Sequence, residues 1–115
     1  MANPGRLLLE VMYKAKYCLP CVYMDEAIQE VLPTFPDKIE YVKVNISESR
    51  EHKKRFTELS ISLHGKDKVY SMEQLAPIPS VFINGELIFD CIPTRYDLEG
   101  AIEAALLKHN IVDVH

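Results

Sequence analysis

Cys18-Leu19-Pro20-Cys21 is the part of the chain best equipped for chemistry. Two thiols separated by two residues can close on each other as a disulfide and can attack a disulfide in another molecule. They can equally supply half of a tetrahedral zinc site, or pack as inert core thiols. Their position bears on the choice. They follow an apolar run and open a segment with helical periodicity, so they stand where a helix should start. There the first N–H groups lack intrahelical partners and carry partial positive charge, which favours a thiolate. The thiolate is the species that attacks disulfides, so this is where a redox-active dithiol would be placed. A closed zinc site needs four ligands. Cys91 with one of His52, His64, His109 or His115 could complete it, but no second Cys/His pair has zinc spacing.

The elements that must hold the two cysteines can be read from periodicity. Leu7–Tyr13 is rich in aliphatic residues and reads as a buried, central strand. Lys14-Ala15-Lys16-Tyr17 forms its exit loop. From Leu19 to Leu32 the residues Met24, Ala27, Ile28, Val31 and Leu32 recur at helical spacing. Pro20 suits the first turn, where its missing N–H is no loss, and Pro33 and Pro36 end the helix. Ile39–Ile46 alternates apolar with polar and reads as a second strand. Ser47 or Ser49 is placed to cap a helix over residues 48–60, with Phe56 and Leu59 facing inward.

Gly65 and Lys66-Asp67-Lys68 mark a loop within Ser60–Gln74. That stretch is longer than a plain connection needs, and a short helical turn or a partner surface near Pro79 would account for its length. Val81–Ile83 and Leu87–Phe89 flank Asn84-Gly85, a strong hairpin signal. Asp97–His109 reads as a helix with Leu98, Ala101, Ile102, Ala105 and Leu106 on one face and Thr94 as its cap. The first strand–helix–strand implies a parallel pair with a right-handed crossover. The hairpin then adds two antiparallel strands, and helices remain to cover both faces.

The 115 residues form a single domain, 1–115. A 48% hydrophobic content supports a core without disulfide staples, and 26% charge with four glycines and seven prolines argues against disorder. A net charge of −4 argues against a dedicated nucleic-acid binder. Three cysteines, one of them far from the other two, do not make an extracellular disulfide framework. No signal peptide is legible in Met1-Ala2-Asn3-Pro4-Gly5-Arg6, because the apolar run from Leu7 to Met12 is short and interrupted by Glu10. Nothing approaches the ~18 apolar residues of a membrane span. The expectation is a soluble cytoplasmic protein with reduced thiols.

Three features together resemble the thioredoxin superfamily, over nearly the whole chain. They are Cys18-Leu19-Pro20-Cys21 at a strand-to-helix junction, Ile78-Pro79-Ser80 directly before the hairpin in the manner of the family's cis-proline motif, and the hairpin Val81–Glu86 followed by an amphipathic helix. The resemblance implies an α/β, thioredoxin-like fold whose central four-stranded mixed sheet has order 2-1-3-4 and is flanked by three or more helices. It implies a cis peptide between Ile78 and Pro79 beside the dithiol, with the Ile78 backbone free to pair with an extended substrate segment. It implies a thiol–disulfide oxidoreductase with Cys18 as nucleophile and Cys21 as resolving thiol, and a substrate groove shaped by Tyr17, Ile78 and Pro79. The partners so implied are protein disulfides or dithiols and a reductase, with no cofactor, metal, nucleic acid or membrane.

The chain also departs from the family pattern. Tyr17 stands where Trp is usual, and Val22 where thioredoxins commonly have Lys. Met12 stands where thioredoxins carry a buried acid, with Glu10 two residues earlier. Phe89-Asp90-Cys91 replaces the Gly-Gly of glutaredoxins. These departures leave a second reading open, a non-catalytic binding module or redox-gated adaptor on the same fold.

The flanking residues carry their own expectations. Glu10 could transfer protons to the dithiol, but an edge or surface carboxylate is the expected role. Lys14 and Lys16 could lower the pKa of Cys18 from the ~8.5 of a free thiol, though solvated loop charges are expected. Cys91 is expected as a small buried hydrophobe, with a regulatory thiol as the alternative. Arg50, His52, Lys53, Lys54 and Arg55 form a basic run expected on the wet face of the second helix.

Overall fold

Leu7–Tyr13 (β1) is an interior strand because its apolar residues can be buried on both faces. The computed structural model describes residues 5–109; the N-terminal Met1–Pro4 and the candidate ligand His115 lie outside them. β1 pairs in parallel with Ile39–Asn45 (β2), from Leu7 opposite Ile39 to Tyr13 opposite Asn45. On its other side it pairs antiparallel with Ser80–Ile83 (β3), from Leu9 opposite Ile83 to Met12 opposite Ser80. Glu86–Phe89 (β4) completes the hairpin, so the mixed sheet has the order β2-β1-β3-β4. Among the described residues four α-helices accompany it: Leu19–Val31 (α1), Arg50–His64 (α2), Lys66–Tyr70 (α3) and Arg95–Lys108 (α4). The molecule is an α/β fold with the expected 2-1-3-4 sheet.

The alternation along β1 sorts its side chains to two cores. Leu7, Leu9 and Val11 pack with Met24, Ile28 and Val31 of α1 and with Leu98, Ile102 and Leu106 of α4. Met12 packs on the opposite side with Val44, Phe82, and Phe56 and Leu59 of α2. The sheet is therefore covered on both faces, which is why β1 reads as a nearly continuous apolar run. Asn84 and Gly85 take φ of 49° and 85°, as a two-residue hairpin turn requires. Asn84 also extends the contact with β1. Its N–H donates to the Leu8 carbonyl at 2.8 Å, and its side-chain oxygen accepts from the Leu8 N–H at 2.7 Å.

Several boundaries differ from the sequence expectation. α1 ends at Val31 and tightens into a 3₁₀ turn over Leu32–Thr34 that holds Pro33. β2 stops at Asn45. Ser49, not Ser47, caps α2 by accepting from the His52 N–H at 3.2 Å. α2 then runs to His64, beyond the expected end near residue 60, because no breaker intervenes before Gly65 at φ 92°. Lys66-Asp67-Lys68 is the first part of α3 and not a loop, with Val69 as its buried anchor. Thr94 caps α4 as expected, accepting from the Asp97 N–H at 3.1 Å. Among the described residues no helix is long and apolar enough to cross a membrane.

A polar cluster centred on Asp25 joins β2 to α1, and its Tyr41 makes stability depend on pH. The Tyr41 hydroxyl donates to Asp25 at 2.6 Å, and Asp25 also accepts from Gln29 at 3.2 Å and from Lys43 at 3.5 Å. Burial, and then the hydrogen bond to a carboxylate, push the Tyr41 phenol above its ordinary range. The unfolded chain ionises this group near pH ~10, while the folded protein keeps it neutral to higher pH. The Tyr41 contribution is therefore complete below about pH 10 and declines as the pH rises above it. In urea unfolding, the wild type is expected to lose more stability than Tyr41→Phe between about pH 9 and pH 11. Parallel losses would show that this phenol is not responsible.

Candidate functional site

Lys14-Ala15-Lys16-Tyr17 leaves the end of β1 and turns directly into α1, the Cys18 N–H donating to the Ala15 carbonyl at 3.0 Å. Cys18 is the N-cap of α1, in extended conformation with φ −85° and ψ 97°. It and Cys21 are joined as a disulfide, with Cα atoms 5.3 Å apart. Cys18 is half-buried, whereas Cys21 is fully buried one turn into the helix. The Lys14 N–H donates to the Cys21 sulfur at 3.4 Å, so the exit loop of β1 is tied to the dithiol by its main chain.

The helix start gives the two sulfurs different surroundings. An N-cap side chain can accept a hydrogen bond from the second or third helical N–H. The second residue here is Pro20, which has no N–H, and the third is Cys21. In the disulfide form the Cys18 side chain accepts no cap hydrogen bond, and the N–H left for a thiolate at this N-cap is that of Cys21. No acidic residue stands in the first turn to oppose a negative charge there. The nearest helical acid, Asp25, is engaged with Tyr41, Gln29 and Lys43.

The Ile78–Pro79 peptide is cis, as the proline motif implies. Ser80 lies opposite Met12, so Pro79 is level with Tyr13 at the end of the sheet from which the cysteine loop leaves. Two serines hold this segment. Ser80 donates to the Pro77 carbonyl at 2.6 Å, and Ser60 of α2 accepts from the Ala76 N–H at 2.9 Å. Both serines are fully buried. Residues 76–80 are thus anchored on each side of the cis bond, from β3 and from α2.

The remaining candidates divide. Tyr17 is 74% exposed, with the Lys14 ammonium 5.9 Å from its ring centre. Lys16 is exposed and makes no side-chain hydrogen bond or ion pair among the described residues, as expected of a solvated loop charge. Glu10 is neither an edge nor a surface carboxylate. β1 is an interior strand, and Glu10 is only 3% exposed. Arg55 binds it bidentately, with both N–H···O distances at 2.7 Å. These hydrogen bonds hold the Arg55 guanidinium above its usual pKa against the opposing effect of burial. Both Glu10 oxygens accept from Arg55, and the carboxylate shares no hydrogen bond with the cysteines among the described residues.

The basic run is correspondingly not one wet face. Arg50, Lys53 and Lys54 are exposed, but Arg55 turns inward and the His52 ring accepts from the Asn45 N–H at 3.0 Å. Cys91 is exposed and not a buried hydrophobe, because β4 ends at Phe89 and the chain bends outward before α4. Among the described residues no three His, Cys, Asp or Glu side chains gather where they could hold a metal ion.

Ser60, Ser80 and the Lys14 N–H support the site without having been singled out for that role from the sequence. Ser60 carried no signal, because its partner is a main-chain N–H 16 residues away, and Ser80 was visible only as the residue after the proline motif, not as a donor to the Pro77 carbonyl. No protein-family model matches the chain, and no curated protein matches it.

Proposed function

We propose that the protein is a thiol–disulfide oxidoreductase of the thioredoxin type, acting on protein disulfides in a reducing, cytoplasmic setting. The observation that supports this most is the asymmetric pair at the start of α1: a half-buried Cys18 at the N-cap and a fully buried Cys21 bonded to it, on the end of the sheet that carries cis-Pro79.

In the reduced state the Cys18 thiolate attacks one sulfur of a substrate disulfide. The substrate S–S bond breaks, a Cys18–substrate bond forms, and the departing substrate thiolate takes a proton from water. Cys21, as thiolate, then attacks the Cys18 sulfur. This closes the Cys18–Cys21 disulfide and releases the second substrate thiolate, which is protonated in turn. Two electrons pass to the substrate, and an external dithiol or a reductase returns them. Ile78 lies outside the β3 ladder, so its N–H and C=O can pair with an extended substrate segment while cis-Pro79 keeps that edge open. Tyr17 lends an exposed ring to the same groove.

The expected result is that the reduced protein cleaves an accessible disulfide in a protein substrate at a rate well above that of the thiol reductant alone. Absence of turnover with every reductant tried would replace this reading by that of a binding module on the same fold.

A further inference from the structure

We infer that the segment carrying α3 builds an apolar subsite for an acidic stretch of the disulfide partner. The subsite is a pocket of about 430 Å³ between the first half of α2 and residues 66–75. Phe56, Val69 and Leu75 form its floor, and Tyr70, Met72 and Lys53 its rim. Tyr70 and Met72 are 69% and 72% exposed, so two large apolar side chains border an apolar hollow. This volume falls within the range of pockets that bury ligand-sized groups, and it suits a leucine- or phenylalanine-sized side chain.

The position links the pocket to the dithiol. Ile46, on its wall, donates its N–H to the Tyr13 carbonyl at 3.0 Å, and the Ser47 hydroxyl donates to the Lys14 carbonyl. Leu75 precedes cis-Pro79 by four residues, a stretch that spans at most about 14 Å. A partner segment paired along Ile78 can therefore place a side chain in the pocket without leaving the protein surface.

Charge selects the occupant. Arg50 and Lys53 are exposed on the α2 side and have no carboxylate partner among the described residues. Lys14 and Lys16 are exposed on the loop that Ser47 holds. These four cations outnumber the carboxylates Glu48, Glu51 and Asp67 nearby, while Glu73 is occupied by Lys68 at 3.4 Å. This end of the molecule is positive in a chain whose net charge is −4. The fitting occupant is an extended protein segment with an apolar side chain flanked by Asp or Glu.

Met72 supplies the second support. It is held at φ 62°, an unfavourable conformation for a non-glycine residue, by hydrogen bonds of Met72 N–H to the Val69 carbonyl and of Glu73 N–H to the Lys68 carbonyl, both 3.0 Å. A glycine would occupy that conformation without strain. The strained position instead carries a large, solvent-exposed apolar side chain at the mouth of the pocket.

The inference rests on the exchange reading only in making the occupant part of the disulfide partner, and its test separates the two. The full chain with Cys18→Ser and Cys21→Ser is titrated by fluorescence anisotropy with three labelled peptides. One has a leucine flanked by glutamates, one replaces that leucine with serine, and one replaces the glutamates with lysines. The first is expected to bind about tenfold more tightly than either control, as burial of one aliphatic side chain allows. Its advantage over the lysine peptide should shrink in high salt. Met72→Gly, which relieves the backbone, and Lys53→Glu should each remove most of the preference. Equal binding of all three peptides overturns the subsite, as does an unchanged preference in both variants. If the preference holds but the wild type exchanges no disulfide, the exchange reading falls and the subsite stands.

Discussion

Cys18→Ser is expected to abolish disulfide exchange, whereas Cys21→Ser is expected to arrest it halfway. The two substitutions remove chemically similar atoms, so the contrast comes from position. Cys18 is the half-buried N-cap, which an incoming disulfide can approach, and Cys21 is fully buried behind it. Serine at position 18 cannot supply a thiolate, and loss of a nucleophile leaves only background; the expected fall is at least about a thousandfold. With serine at position 21 the first attack still proceeds, and the mixed disulfide has no internal thiol to resolve it. A covalent adduct with a protein substrate should then accumulate on a non-reducing gel and disappear on addition of reductant. The measurement belongs in a Cys91→Ser background, because Cys91 is an exposed thiol that could form adducts of its own. An adduct in the Cys18→Ser protein, or retained turnover there, would remove Cys18 from its role.

The dithiol was legible because everything that defines it lies within a few residues: the apolar run, two cysteines and a proline suited to a helix start. The hairpin was legible for the same reason, since Asn84-Gly85 supplies the positive φ values the turn needs. The support around the dithiol was not legible. Ser60 and Ser80 act on main-chain groups of the cis-proline segment, and nothing in their own surroundings in the chain marks them as buried. The exposure of Cys91 is not legible, because the usual burial of free cysteine says nothing about a bend that begins at Asp90, just after β4 ends. The end of α2 follows locally from Gly65 and its φ of 92°, whereas the existence of α3 depends on the anchoring of Val69, which tertiary packing settles. The burial of Glu10 is hidden for a different physical reason. Carboxylates are seldom buried, so a lone acid in a strand reads as solvent-facing unless its partner is known. That partner is Arg55, 45 residues away.

Arg55→Ala should be among the most damaging substitutions outside the dithiol, and more damaging than Glu10→Ala. Glu10 lies on the face of β1 covered by α2, and its side chain is 4% exposed, against 34% for Arg55. Removing Arg55 leaves a carboxylate in an apolar setting with no compensating charge, whereas removing Glu10 leaves a guanidinium that reaches water and also has Glu58 at 3.6 Å. Breaking a buried pair costs ~3–5 kcal/mol, and partial exposure of Arg55 places this pair at the lower end. The expected losses are about 3 kcal/mol for Arg55→Ala and about half that for Glu10→Ala. For a domain of this size the first should lower Tm by at least about 10 °C. The pair itself need not be net stabilising, because desolvation opposes the attraction of the two charges. The double substitution Glu10→Leu with Arg55→Met is therefore expected to unfold in urea within about 1 kcal/mol of wild type. A double variant as unstable as Arg55→Ala would show instead that the ion pair, and not the avoidance of an orphaned charge, holds α2 against the sheet. Equal losses in the two alanine variants would contradict the burial asymmetry from which the ranking follows.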